Sequence, residues 1–159
     1  MIKHKTIPTS QAQLTHHPLI QLLCEDDTID MSNNDNLPTL SQEDIQYQLN
    51  AMVLPVIKND TVENGYYLLS PAPLYFMLLE NSSRNIKVKL YIYPHDEAEK
   101  VINSHLFLTP ALQYRASKNI LTCLRARYNN AKKHNLILNY NIKFLSRITN
   151  VCVSAFRSK

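Results

Sequence analysis

A single glycine among 159 residues is the first thing this sequence withholds. Loops that wrap phosphates in closely approaching backbone need several glycines at fixed spacing, so P-loop and dinucleotide-binding enzymes are excluded, and no GxSxG nucleophile motif occurs. Tryptophan is absent. No run reaches the roughly 18 apolar residues needed to cross a bilayer. The first 17 residues, MIKHKTIPTSQAQLTHH, lack the continuous apolar core of a signal peptide. A cytoplasmic location and no membrane partner are therefore expected. The three cysteines, Cys24, Cys123 and Cys152, are odd in number and form no CxxC pair, which points to inert thiols rather than a disulfide framework or a zinc ribbon. None of the six histidines, His4, His16, His17, His95, His105 and His134, pairs with another at the i, i+4 spacing a zinc hydrolase uses. No metal and no cofactor are expected.

The most informative absence is of acid. Residues 101–159 contain no Asp or Glu but ten Lys and Arg, whereas residues 1–100 hold all thirteen acids against seven Lys and Arg. The formal charge of +4 thus hides a segment of +10 behind one of −6. Ten uncompensated cations create a field that attracts a polyanion, either nucleic acid or an acidic membrane surface. With 45% apolar and 19% charged residues, the chain suits one or two small globular domains.

What is present reads as an α/β half followed by a helical half. The acidic run Glu25, Asp26, Asp27 and Asp30, followed by SNNDN, makes residues 1–37 read as a mobile acidic leader with one short helix at PLIQLL. Ser41-Gln-Glu-Asp44 resembles a capping box, and Ile45, Leu49 and Met52 follow at helical spacing up to Pro55. VLPVIK (53–58) and YYLL (66–69) read as a β-hairpin, in which Gly65 takes a positive φ. Ser70-Pro-Ala-Pro73 opens a helix that continues through Leu74, Met77 and Leu78. Residues 86–93 alternate strictly between apolar and polar, the mark of a half-buried strand. Asp96 and Glu97 start a further helix with Ala98, Val101, Ile102 and Leu106 on its buried side.

In the basic half, Thr109-Pro110 reads as an N-cap with proline at the first helical position, and Leu112, Ala116, Ile120, Cys123, Leu124 and Tyr128 form one stripe. Arg115, Lys118, Arg125, Arg127, Lys132 and Lys133 lie on the remaining surface. Residues 140–159 look like a helix-turn-helix. Phe144, Leu145 and Ile148 form the buried face of its first helix, Thr149-Asn150-Val151 its turn, and residues 153–159 its second helix, with Phe156 inward and Val153, Ser154, Arg157 and Lys159 towards a major groove. An ordinary core-packing helix pair is the competing account.

In order, these elements resemble the ParB-type partition proteins, in which a ParB/sulfiredoxin-like domain precedes a helix-turn-helix domain. The resemblance runs from about Leu40 to Phe156 and rests on QLNAMVLPVIKND, GYYLLS, KVKLYIYPHDEAEKVINSHL and LTPALQYRASKNIL in that order. It implies an α+β chain: a small α/β domain over residues 38–105 and an all-α, basic DNA-binding domain over 106–159, acting as a partition or regulatory factor of a plasmid or mobile element at the nucleoid. The departure falls after the YYLL strand, where the family carries a glycine and an arginine-rich signature that cradles CTP phosphates. Here the same place reads SPAPLYFML, without arginine, lysine or glycine, and Pro71 and Pro73 each remove an N–H. The nucleotide site is therefore expected to be degenerate, and the domain to serve as a scaffold or protein-binding module rather than an enzyme.

The expected partner is double-stranded DNA. Arg115, Lys118, Arg125, Arg127, Lys132 and Lys133 hold phosphates, Lys143 and Arg147 belong to the same nucleic-acid-binding set, and Val153, Ser154, Arg157 and Lys159 face the major groove, where Ser154 and Arg157 read base edges. A homodimer is expected, because one short recognition helix spans too few base pairs. The rival reading is a non-enzymatic interaction protein whose basic half docks on an acidic protein or a nucleoprotein machine. A metal-dependent nuclease would require Asp60, Glu63, Asp96 and Glu97 to converge in a cleft.

Overall fold

The structure, a computed structural model, describes residues 1–24, 40–80, 82–83, 85–109, 126, 129–130, 132–135, 141–149 and 152–156. The chain divides into two compact units. Described residues 1–24 and 40–109 belong to the first, and those from Ala126 onward to the second.

The first unit is a mixed α/β domain built on a five-stranded sheet. In chain order the strands are β1 (Lys3–Pro8), β2 (Gln13–His16), β3 (Leu54–Asn59), β4 (Gly65–Leu68) and β5 (Lys87–Ile92), and across the sheet they run β1-β5-β3-β4-β2. β3 is central and its run LPVIKN is buried at every position but Lys58. A strand covered on both faces needs apolar residues on both, which is why its sequence reads as a run and not as an alternation. β3 pairs antiparallel with β4 and parallel with β5, so the expected hairpin and the strand at 86–93 both form.

Residues 3–23 correct the reading of the N-terminal leader as mobile. β1 pairs antiparallel with β5, β2 pairs parallel with β4, and α1 (Pro18–Leu23) follows. Residues 25–37 of the expected leader lie outside the described residues. Only Ile7, Leu14 and Ile20 are buried apolar side chains in this stretch. One inward residue per short edge strand leaves no readable period, so the pairing is imposed by β5 and β4 and not announced locally.

The same two strands dictate the curvature of the sheet. β1 and β2 occupy opposite edges, four strand spacings apart, which in a flat sheet is about 19 Å. Four residues, 9–12, join them, and three of these form a 3-10 turn (Thr9–Gln11). Five steps of chain from Pro8 to Gln13 reach at most about 17 Å when fully extended, and about 13 Å with the turn included. The sheet must therefore curl until its edges approach. β1 and β2 act as one bent strand whose first half zips to β5 and whose second half zips to β4. The Lys5 ammonium of β1 donates to the Tyr66 hydroxyl of β4 at 3.2 Å, across what a flat sheet would hold three strands apart.

Inside the curl, Ile7, Leu14, Val56, Leu68, Val88 and Leu90 meet Ile45 and Leu49 of α2 (Gln42–Ala51) and Tyr75 and Leu78 of α3 (Pro73–Glu80). α2 begins as its sequence implies: Ser41 Oγ accepts from the Asp44 N–H at 3.0 Å and donates to the Asp44 carboxylate at 2.6 Å. On α3 the buried stripe is Tyr75 and Leu78, while Leu74 faces solvent, because the helix starts at Pro73 and turns the aromatic residue inward. On the convex face Ile57 and Leu69 pack with Ile20 of α1 and with Ala98 and Ile102 of α4 (Ala98–Asn103). Residues 95–97, expected as the first turn of that helix, form a 3-10 turn. α4 runs on through a π-helical turn at Ser104–Leu108 into Thr109, whose dihedrals are helical. Thr109 thus continues a helix and does not cap a new one.

Gly65 carries a second correction. No glycine has a positive φ, whereas Asn64 does, at 54°. Asparagine tolerates the left-handed region better than other side chains. Gly65 is needed for space instead, since a Cβ there would stand 2.7 Å from Val62 Cβ and 3.0 Å from the Val62 carbonyl oxygen.

Candidate nucleic-acid interface

The second unit carries the basic residues singled out above. Its described part includes helical residues at 129–130 and 132–133, closed by Asn135 at φ 53°, whose N–H donates to the Lys132 carbonyl. Asparagine again takes the left-handed position that ends a helix. A helix follows at Ile142–Thr149, its start capped by Asn141, whose side-chain oxygen accepts from the Phe144 N–H at 2.9 Å. Phe144 and Leu145 are half-buried, as are Ile142 and Ser146, while Lys143 and Arg147 are exposed. Being four residues apart, the two cations share one helix face. Lys132 and Lys133 are exposed as well.

The turn and second helix of the expected motif are only partly within reach. Val153–Phe156 forms a 3-10 turn, so the predicted helix from residue 153 does not begin in α form; Ser154 is exposed and Val153 is half-buried. Arg115, Lys118, Arg125, Arg127, Arg157 and Lys159, the residues Asn150 and Val151, and the side chains of Ile148, Thr149 and Phe156 lie outside the described residues. Cys152, expected to be inert, is exposed, and its thiol lies 2.9 Å from the Ser154 hydroxyl. That contact, with neighbouring backbone amides, lowers its pKa from the ordinary thiol value.

In the first unit, the segment after β4 occupies the place where the resemblance implies a degenerate phosphate site. Ser70 and Ala72, on either side of Pro71, are buried. Of the backbone donors left there, the Ala72 N–H is already turned inward, to Nε2 of His16 at 3.4 Å. His16 rests against the Phe76 ring, and burial holds its pKa below the ordinary imidazole value. A neutral imidazole is what the accepting role requires. The strand that supplies His16 is β2, so the N-terminal segment itself caps this position. Sequence reasoning missed His16 because only the pairing of β2 with β4 brings it there.

The carboxylates weighed for nuclease chemistry do not gather. Asp60 lies 3.6 Å from Lys58 and 3.8 Å from His95, all three at the surface. Among the described residues no group of three His, Cys, Asp or Glu is placed to hold a metal ion. Among them, too, no helix is long and apolar enough to cross a membrane.

No protein-family model matches the chain, and no curated protein matches it either. A solved structure to which the chain is similar is the C-terminally truncated chromosome-partitioning protein ParB from Caulobacter crescentus, complexed with CTP-γ-S. The TM-score is 0.49 and the identity 9%, over 97% of this chain and 74% of that one.

Proposed function

We propose that this is a non-enzymatic DNA-binding protein whose basic C-terminal part, from about residue 106, holds duplex DNA through its phosphates. The observation that carries the reading is the charge segregation: ten cations and no acid in residues 101–159. Support comes from the exposure of Lys132, Lys133, Lys143 and Arg147, and from the shared helix face of the last two. Soluble surfaces ordinarily intersperse both signs, so an acid-free basic surface carries a cost in self-repulsion that a polyanionic partner removes. Arg115, Lys118, Arg125 and Arg127 belong to the same phosphate-binding set, with Ser154 and Arg157 reading base edges and Lys159 beside them. A homodimer doubles the footprint. The first unit serves as a scaffold that can present a protein partner, and a partition or regulatory role follows from the resemblance drawn from the sequence.

The test is fluorescence anisotropy with random-sequence duplex DNA at two salt concentrations, using the full chain and two variants. Lys132→Ala should weaken binding to all sequences alike and flatten the dependence of log affinity on log salt by about 0.9. Arg157→Ala should chiefly relax sequence preference. Absence of salt-sensitive binding by the unaltered protein would refute the reading and point to an acidic protein partner for the basic surface.

A further inference from the structure

The convex face of the sheet is covered over only half its width. α1 and α4 pack on β3 and the segment after β4, and neither β1 nor β5 contributes to that apolar cluster. The period of two along each strand places His4 and Thr6 of β1 and Lys87, Lys89 and Tyr91 of β5 on the uncovered half. All but half-buried Tyr91 are exposed. His4 faces Tyr91 in the register, and their rings meet edge to face with centroids 4.4 Å apart. Beside them is a depression of about 190 Å³ lined by His4, Lys5, Thr6, Lys89, Leu90 and Tyr91.

The charge of this ribbon is opposite to that of the half of the chain it belongs to. Residues 1–100 carry a net −6, yet four of their seven Lys and Arg, namely Lys3, Lys5, Lys87 and Lys89, lie in β1 and β5, which hold no acid. Lysines on an edge strand discourage sheet-to-sheet pairing. That purpose accounts for Lys3 and Lys5 on β1. β3 pairs with β5 only at Leu90–Ile92, so the same purpose extends to Lys87 and Lys89; it does not account for two aromatic rings presented on the same bare face, nor for the absence of any acid in either strand.

We infer that this β1–β5 face binds single-stranded nucleic acid. Lys87 and Lys89, about 7 Å apart along the strand, pair with successive phosphates, and the Tyr91 and His4 rings give the bases a stacking surface. An open, convex, sequence-tolerant face of this kind suits unpaired bases, whose π-faces a duplex keeps inside its stack. The inference does not depend on the duplex reading of the other unit.

The probe is a fluorescein-labelled oligothymidylate of about 12 nucleotides, titrated into the full chain. Lys87→Glu/Lys89→Glu should flatten the salt dependence of its binding by about 1.4 in log affinity per log salt, and Tyr91→Leu should weaken binding about tenfold. Both variants should keep their affinity for duplex DNA. Lys132→Glu/Lys133→Glu should do the reverse, so failure of either reading is seen separately. Should a variant fail to fold, as judged by circular dichroism, photo-crosslinking of a 4-thiothymidine oligonucleotide to the unaltered protein decides, with the adduct expected within residues 87–92. An adduct confined to residues 126–156, equal loss of duplex binding in the Lys87→Glu/Lys89→Glu variant, or no binding of the oligonucleotide would overturn the inference.

Discussion

Replacing Ile7 by alanine separates a structural N-terminal strand from a dispensable leader. Ile7 is 6% exposed and sits opposite Val88 in the β1–β5 register, inside the cluster that also holds Leu14, Val56 and Leu90. The substitution removes three buried carbons, about 2.4 kcal/mol of transfer free energy. A residual cavity adds to this, although an edge strand relaxes more readily than a central one, so about 3 kcal/mol is expected. For a unit of this size that lowers the melting temperature by about 12 °C or more. Thr6→Ala, one residue away and exposed, should stay within about 0.5 kcal/mol. Urea unfolding followed by circular dichroism measures the difference, and amide exchange of residues 4–7 supplies a second reading that needs no variant. An Ile7→Ala change below about 0.5 kcal/mol, or exchange of those amides at the rate of an open chain, would refute both the closure of the sheet by its N-terminal strand and the curvature derived from it.

Other consequences are as accessible. Gly65→Ala should cost about 1–3 kcal/mol through overlap with Val62, and Asn64→Ala about 1 kcal/mol through its left-handed backbone; urea midpoints of the two variants measure this, and an unaffected Asn64→Ala would contradict the assignment of the turn. Because burial lowers the pKa of His16 below its unfolded value, stability should be full above about pH 6.5 and fall as pH drops towards the folded value. His17 and His105 are shifted the same way, so His16→Gln, which keeps an acceptor for the Ala72 N–H, should reduce the acid sensitivity without abolishing it. Lys143→Glu/Arg147→Glu should flatten the salt dependence of duplex binding by about 1.8 while leaving the urea midpoint nearly unchanged, since both side chains are exposed.

The Ser41 cap, the hairpin strands and the alternation of residues 86–93 were legible because local rules suffice there: a hydroxyl beside free N–H groups, a β-branched run, a period of two. The candidate interfaces were legible unevenly. The acid-free basic segment shows in any count of residues, whereas the β1–β5 face does not, because His4 and Thr6 stand more than 80 positions from Lys87, Lys89 and Tyr91 and become their neighbours only when β1 pairs with β5. The same holds for His16 over the Pro71–Pro73 segment, a contact that joins residues 56 positions apart. Gly65 is a milder case, in which the sequence marks a tight turn correctly but composition cannot tell a φ requirement from a close approach.

By itself, then, the order of residues determined which segments between Ser41 and Ile102 are helical or extended and how charge divides along the chain, since both depend on near neighbours and on composition. Tertiary structure alone decided that residues 3–16 belong to the sheet, that four connecting residues force it to curl, and which polar side chains share a surface. Pairing of distant strands is a cooperative choice made by the whole core, and an edge strand with one inward residue carries too little local free energy to reveal it in advance.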